Sequence, residues 1–357
     1  MKILLISNMY PSKKDKTYGT FVKCFQDGLL QYNKTIKFQL VVIKGRSNLL
    51  LVKLFKYFVF YSRIIIHILF SKYDLVYVHQ ITHSSPILLL MCKLKSFKLI
   101  MNIHGGDLIT RKRISTLLFH FSSRLLRKAE LIITPSEYFK KILIQKQPFI
   151  SPDRVFISPS GGIDTNVFKY FNTHILSHKI IYISRIDSGK GWDTLLYAMN
   201  KIKNKEGLKI KCYIAGNGTQ VEQMKTLINT LELNDSCIYI GALCHKEMTE
   251  YYNKVDCLIF PTQLQESLGL VGIESLSCGC PVIGSNIGCL PEYIINNVDG
   301  YLFTPGNADD LANCINKLYA LTAEDYLTLR KNAHQISLKY NSYQIAKEMY
   351  EKLYSLI

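Results

Sequence analysis

The chain has 357 residues, 48% of them apolar, enough for two hydrophobic cores. Ten cysteines lie scattered without a Cys-x-x-Cys pair, which argues against a metal or disulfide scaffold and for small buried hydrophobes in a reducing, cytoplasmic setting. The net charge of +17 is confined to one half: residues 1–165 hold 26 Lys and Arg against 8 Asp and Glu, residues 166–357 hold 18 against 19. An anionic surface, nucleic acid or membrane, is the partner such asymmetry suggests.

Lys2 to Ser7 reads as an apolar strand, too short and wrongly flanked for an export signal. A polar loop, Ser12 to Thr17, leads through Gly19 into a helix that ends near Tyr32. A glycine at such a turn either brings its N–H against a phosphate or is an ordinary turn residue. The Gly-x-Gly-x-x-Gly fingerprint is absent, which argues against a nicotinamide or flavin site. Phe38 to Ile43 is the second strand. Asn48 to Phe70 follows, apolar apart from Lys53, Lys56, Arg63 and His67, and no run in it spans a bilayer without charge. At about 100° per residue those four cations share roughly 80° of a helical wheel. The pattern suits a helix lying at a membrane interface, or a core helix with one solvated edge.

Strands are expected over Tyr73 to His79 and Lys98 to Ile103, the second running into His104-Gly105-Gly106-Asp107. A histidine at the end of a strand and before two glycines belongs at the sheet's ligand edge, unless it is structural; His79 and His83 read as structural. Arg111 to Lys128 is a second basic helix, with Arg113, His120, Arg124, Arg127 and Lys128 within about 100° on the wheel. Glu130 to Thr134 and Val155 to Ser158 are strands, with a helix starting at Pro135-Ser136 between them.

In the second half, the strand Lys179 to Ser184 leads into Arg185-Ile186-Asp187-Ser188-Gly189-Lys190, and a helix starts near Asp193. Arg185 and Lys190 read as a grip on a diphosphate or as two surface cations. Strands at Lys209 to Ala215 and Ile238 to Ile240 end in Gly216 and in Gly241-Ala242-Leu243, and Glu247 to Asn253 is a short helix. Cys257 to Phe260 is a buried strand. A polar loop then leads to a helix from about Leu268 to Ser277, stopped by Gly279 and Pro281. Free N–H groups on Leu268, Gly269 and Leu270 at that helix start can hold an anion. Glu266 and Glu274 frame the anion site and could fork onto sugar hydroxyls; the alternatives are a dipole partner and a solvated helix residue. Leu290-Pro291-Glu292 is expected to open a helix. Asp299 to Phe303 reads as a turn and strand, and Ala308 to Leu321, Ala323 to Lys339 and Ser342 to Leu356 as closing helices.

The stretch Glu266-Ser267-Leu268-Gly269-Leu270-Val271-Gly272-Ile273-Glu274, framed by Asp256 to Pro261 and by Cys278 to Ser285, resembles the Glu-x7-Glu motif of retaining GT-B glycosyltransferases, glycosyltransferase family 4. Arg185 to Gly191 resembles that family's Gly-Arg-x-x-x-x-Lys-Gly motif with Ser184 at the glycine. His104 to Asp107 resembles its His-Gly-x-Asp, and Gly162-Ile163-Asp164 its crossover between domains. The likeness runs over nearly the whole chain. It implies an α/β fold of two Rossmann-like domains facing across a cleft, with an acceptor domain over 1–165, a nucleotide-sugar domain over 166–340 and a crossing helix over 341–357. It implies catalytic roles for His104, Arg185, Lys190 and Glu266. Donor contacts would come from Gly19, Gly216, Leu243, Ser267, Leu268, Gly269, Leu270 and Glu274.

No Asp-x-Asp pair appears, so no metal and no other cofactor are expected; the two cations and the helix amides would carry the leaving-group charge. The expected donor is a nucleotide-diphosphate sugar, UDP-linked ahead of GDP-mannose, moved as a hexose onto a lipid-linked oligosaccharide for capsule, O-antigen or exopolysaccharide. The expected seat is the inner face of the cell membrane. A sugar-nucleotide epimerase of the same fold, and a basic nucleic-acid-binding module, are the other readings; aromatics on apolar faces disfavour the latter.

Overall fold

A computed structural model describes residues 1–15, 18–47, 49–108, 113–171, 175–203 and 209–357. Thr17, Asn48 and Arg111, at the ends of expected segments, lie outside the described residues, as does the side chain of Arg113. The chain divides into two units, Met1–Gly162 with Ser342–Ile357, and Ile163–Asn341.

The first unit runs β1 (Lys2–Tyr10), α1 (Thr20–Tyr32), β2 (Lys37–Lys44), α2 (Leu50–Phe70), β3 (Leu75–His79), α3 (Ile81–Leu94), β4 (Leu99–Asn102), α4 (Gly105–Leu108), α5 (Arg113–Leu126), β5 (Leu131–Thr134), α6 (Glu137–Lys146) and β6 (Val155–Ile157). Its strands are all parallel, in the order β2-β1-β3-β4-β5-β6. Both faces are covered, so β1 is apolar without alternation. Ile3 and Leu5 pack with Val22, Phe25 and Leu29 of α1. Leu4 and Ile6 face the opposite way, in a cluster with Phe60, Ile64 and Ile68 of α2. Each such fully buried aliphatic side chain contributes about 1.5–3 kcal/mol.

The second unit runs β7 (Lys179–Ile183), α7 (Trp192–Lys203), β8 (Lys211–Ala215), α8 (Val221–Thr230), β9 (Cys237–Gly241), α9 (His245–Tyr252), β10 (Cys257–Phe260), α10 (Leu270–Ser277), β11 (Val282–Ser285), β12 (Gly300–Phe303), α11 (Ala308–Tyr319) and α12 (Ala323–Ser337). Its sheet is parallel too, in the order β12-β11-β10-β7-β8-β9. The last helix, α13 (Ser342–Tyr354), belongs to the first unit, where Met349 and Leu353 join the cluster of Ile3 and Leu5.

Three departures from the sequence reading have local causes. The helix α3 was not expected, because Ile81-Thr82-His83-Ser84-Ser85-Pro86 has the composition of a loop. In the fold Ser84 and Ser85 donate to the Ile81 carbonyl at 3.2 and 2.7 Å inside the helix that contains Pro86. The helix expected from Leu290 is one 3-10 turn, Leu290–Glu292. Asp299 takes the N–H of Ile295 at 2.8 Å and Asn297 turns left-handed at φ 64°, so the chain bends back into β12.

The third departure concerns the cations of α2. Because β2 is an edge strand, its outer carbonyls have no strand partner among the described residues. Arg63 donates to the Leu40 carbonyl at 2.8 Å, and Lys56 to those of Lys44 and Gly45 at 3.0 and 2.9 Å. His67 meets Ser71 at 2.9 Å. Two of the four stripe cations, Lys56 and Arg63, thus strap the helix to the sheet edge. Lys53 and Arg63 stay exposed, and so does a broad apolar face: Leu50, Leu51, Leu54, Phe55 and Phe58 are each 59–80% accessible. By contrast His120, Arg124, Arg127 and Lys128 near the end of α5 are all exposed. Among the described residues no helix is long and apolar enough to cross a membrane.

Candidate active site

In the second sheet the chain moves outward from β7 to β8 and β9, then returns to β10 on the other side of β7. The order of the strands therefore reverses between β7 and β10, and loops leaving their carboxyl ends diverge to form a crevice. Those two loops are the ones that carry Arg185 and Lys190, and Glu266 to Gly269. Gly216, at the end of β8, has φ 138°, and a Cβ there would lie 1.8 Å from the Ser184 carbonyl. Backbone packing alone therefore demands a glycine at this position.

Lys190 Nζ and Glu266 Oε1 form an ion pair of 2.6 Å, with side chains only 13% and 18% exposed. Thr262 Oγ1 donates to the same oxygen at 3.0 Å. The second Glu266 oxygen has no partner among the described residues. Arg185 is turned outward, 70% exposed, and pairs with Asp187 Oδ2 at 2.8 Å. Asp187 is itself held by the N–H and hydroxyl of Thr219, at 2.8 and 2.9 Å. Those hydrogen bonds, with Arg185 and Lys190 nearby, keep its carboxyl below the usual carboxylate range.

Helix α10 begins at Leu270, two residues later than expected, because Gly269 caps it in the left-handed region at φ 72°. The N–H groups of Leu268, Gly269 and Leu270 reach no acceptor among the described residues. Glu274 follows one turn later and is buried, 7% exposed, so it is not a solvated helix residue. Its Oε2 has no hydrogen-bond partner among the described residues, and burial pushes its carboxyl up to about 7. A buried carboxylate oxygen without a donor is costly unless something supplies one. Ser267 and Leu268 sit between the two glutamates, Leu268 buried and Ser267 partly so. Leu243 follows β9, three strands from β10 along the same edge.

His104 and Gly19 belong to the first unit. Its strand order reverses between β1 and β3, and Gly19 ends the loop after β1, at φ 73° and against the Met9 backbone. Phe21, two residues on, lays its ring 4.3 Å from that of His104. His104 is also 3.1 Å, Nε2 to Nδ1, from His79, which ends β3. Burial pushes His104 down to about 3 and lowers His79 as well. Below them Asp107 receives the N–H of His104 at 3.0 Å and the Thr82 hydroxyl at 2.6 Å, fixing the loop after β4 to the start of α3.

Sequence reasoning read His79 as structural and gave no role to Thr262, Asp187 or Thr219, all of which contact predicted site residues directly or through one neighbour. Only His79 left a signal, since it closes β3 as His104 follows β4. The others are small polar residues whose role depends on partners brought close by folding.

Comparison with known proteins bears on the family and the fold. A family model described as Glycosyltransferase Family 4 matches residues 20–167, and one described as Glycosyl transferases group 1 matches 176–336. A lipopolysaccharide 1,2-N-acetylglucosaminetransferase of Salmonella typhimurium is 25% identical over 72% of this chain and 64% of its own length. An alpha-monoglucosyldiacylglycerol synthase of Streptococcus pneumoniae is 32% identical over 48% of this chain and 36% of its own. The chain thus spans less than two thirds of these curated relatives. Among solved structures, Anabaena HepE in complex with UDP superposes with a TM-score of 0.80 at 19% identity, covering 99% of this chain and all of that one.

Proposed function

Since the chain is a GT-B glycosyltransferase of the family 4 kind, we propose that it moves a hexose-type sugar from a UDP-sugar to a lipid-linked oligosaccharide with retention of anomeric configuration. The observation that carries the donor side is Glu274: a buried carboxylate oxygen that lacks a donor among the described residues, one turn beyond three amides uncommitted among them. Ribose hydroxyls would satisfy the oxygen, and a diphosphate would take the amides. Glu266, oriented through one oxygen by Lys190 and Thr262, keeps the other for the sugar's hydroxyls. The choice of uridine is supported by the solved relative, which was crystallised with UDP and with UDP-glucose.

In the proposed step the acceptor hydroxyl attacks the anomeric carbon from the face the diphosphate leaves. The bond from that carbon to the phosphate oxygen breaks, the glycosidic bond forms, and the acceptor's proton passes to the departing phosphate. Lys190, Arg185 and the amides of Leu268 to Leu270 stabilise the developing negative charge. No metal enters this scheme.

The acceptor side is carried by α2, α3 and α5, which form one layer on the first sheet. The apolar face of α2, with the exposed cations of α5, would rest on the anionic inner face of the cell membrane and meet a lipid-linked acceptor there. Relatives in lipopolysaccharide and glycolipid synthesis support a surface polysaccharide as product. The test is nucleotide release from a panel of UDP-, GDP- and dTDP-sugars in the presence of excess EDTA. UDP release that EDTA does not reduce is expected. Release from GDP- or dTDP-sugars alone, or activity restored only by Mg²⁺ or Mn²⁺, overturns the donor or the metal-free scheme respectively.

A further inference from the structure

The two histidines at the first sheet's edge allow an inference that rests on the sugar-facing role given to His104. We infer that His79 is a positioning residue: it occupies Nε2 of His104 and fixes the proton of His104 on Nδ1, the nitrogen left to meet the ligand. His79 closes β3 and is 1% exposed. The next residue, Gln80, is left-handed at φ 54° and turns the chain sharply into α3, so the ring stays at the carboxyl edge. The two rings lie 5.4 Å apart at 23°, with Nδ1 of His79 3.1 Å from Nε2 of His104. Phe21, Phe25 and Tyr77 surround them, with ring centroids 4.3 to 5.9 Å away. Both imidazoles are neutral in this apolar shell.

A neutral pair shares one proton across its contact, and Nε2 of His79 decides which ring gives it. That nitrogen is buried and has no hydrogen-bond partner among the described residues. If His79 carried its proton there, a buried N–H would be orphaned; buried N–H groups without an acceptor are rarer than under-used acceptors. The proton therefore sits on Nδ1 of His79 and is donated to Nε2 of His104. His104 must then hold its own on Nδ1, which has no partner among the described residues and can donate to a ligand oxygen. Without His79 the ring of His104 could exchange tautomers and rotate.

Histidine-selective 15N spectra of the whole chain read this directly: His104 should appear as the Nδ1–H tautomer, and His79→Leu should disturb it. An asparagine amide nitrogen lies near the position of imidazole Nδ1, whereas a glutamine amide lies near Nε2. His79→Asn should therefore keep kcat close to wild type, while His79→Gln and His79→Leu lower it about tenfold to a hundredfold, by analogy with the loss of a partner that orients a metal-bound histidine. His104 protonated on Nε2 in the wild type overturns the inference, as does an equal loss in folded His79→Asn and His79→Leu. If His104→Ala turns over normally, it is the sugar-facing role that fails, and the spectra alone decide the tautomer.

Discussion

Two sets of cations stand out in the sequence, and the fold sends them to opposite tasks. At the second sheet's edge Lys190 meets a carboxylate within a part-buried crevice, where its charge is held ready beside uncommitted amides. On α2 Lys56 and Arg63 meet only backbone carbonyls of an edge strand and are spent on closing it. Spacing on a helical wheel says which residues share a face; it does not say whether that face looks at solvent or at a strand. The broadest exposed face of α2 is apolar, with Lys53 and Arg63 also reaching solvent. The lesson is that a positive stripe beside an edge strand has acceptors at hand, whereas the cations of α5, with no such strand, stay outside.

The largest effect that tests this contrast is on turnover. Lys190→Ala should lower kcat by on the order of 10²-fold or more, as when one donor to a developing oxyanion is lost. Arg185→Ala should do the same while leaving the unfolding midpoint nearly unchanged, because its exposed pair with Asp187 adds little stability. Near-normal transfer by both variants would break the assignment of the crevice.

Glu274 sharpens the comparison through pH. In the unfolded chain its carboxyl ionises near 4.5, while in the fold it holds its proton to about 7 because it is buried. The folded state thus binds a proton that the unfolded state has released, and this group costs stability as pH rises from about 4.5 to 7. The loss amounts to about 3 kcal/mol. Glu274→Gln should remove that slope, measured as the difference in denaturant unfolding between variant and wild type at pH 5 and pH 8. The difference is needed because Asp299 is also pushed up, to about 6, by burial. The same substitution should weaken UDP binding by leaving the ribose without its carboxylate. Parallel pH curves for the two proteins would mean that Glu274 is already satisfied.

The smallest effects separate the two faces of α2. Lys56→Ala and Arg63→Ala should each cost about 1 kcal/mol of stability, the worth of an ordinary hydrogen bond, without changing sedimentation with anionic vesicles. Phe55→Glu with Phe58→Glu should release the protein from those vesicles without moving the unfolding transition, and Arg124→Glu with Arg127→Glu should release it more readily as salt rises. Vesicle binding lost in the Lys56 and Arg63 variants alone would restore the stripe as the lipid contact.

Much of this protein is local and could be taken from the sequence. Runs such as Ile3 to Ile6 and Leu258 to Phe260 announce strands buried on both faces, and their alternation with helices leads to parallel sheets. The seven residues between Glu266 and Glu274 put one on a loop and the other on the following helix, which fixes the character of the crevice before any contact is known. Tertiary structure decided what lies between distant residues. It closed the ion pair between Lys190 and Glu266, 76 residues apart, and the contact of His79 with His104, 25 apart. It also buried Glu274 with an oxygen unpaired among the described residues and turned α2 so that Lys56 and Arg63 reach the edge of β2. These outcomes depend on strand order, because strand order decides which loop ends become neighbours and which carbonyls are left for a side chain to satisfy.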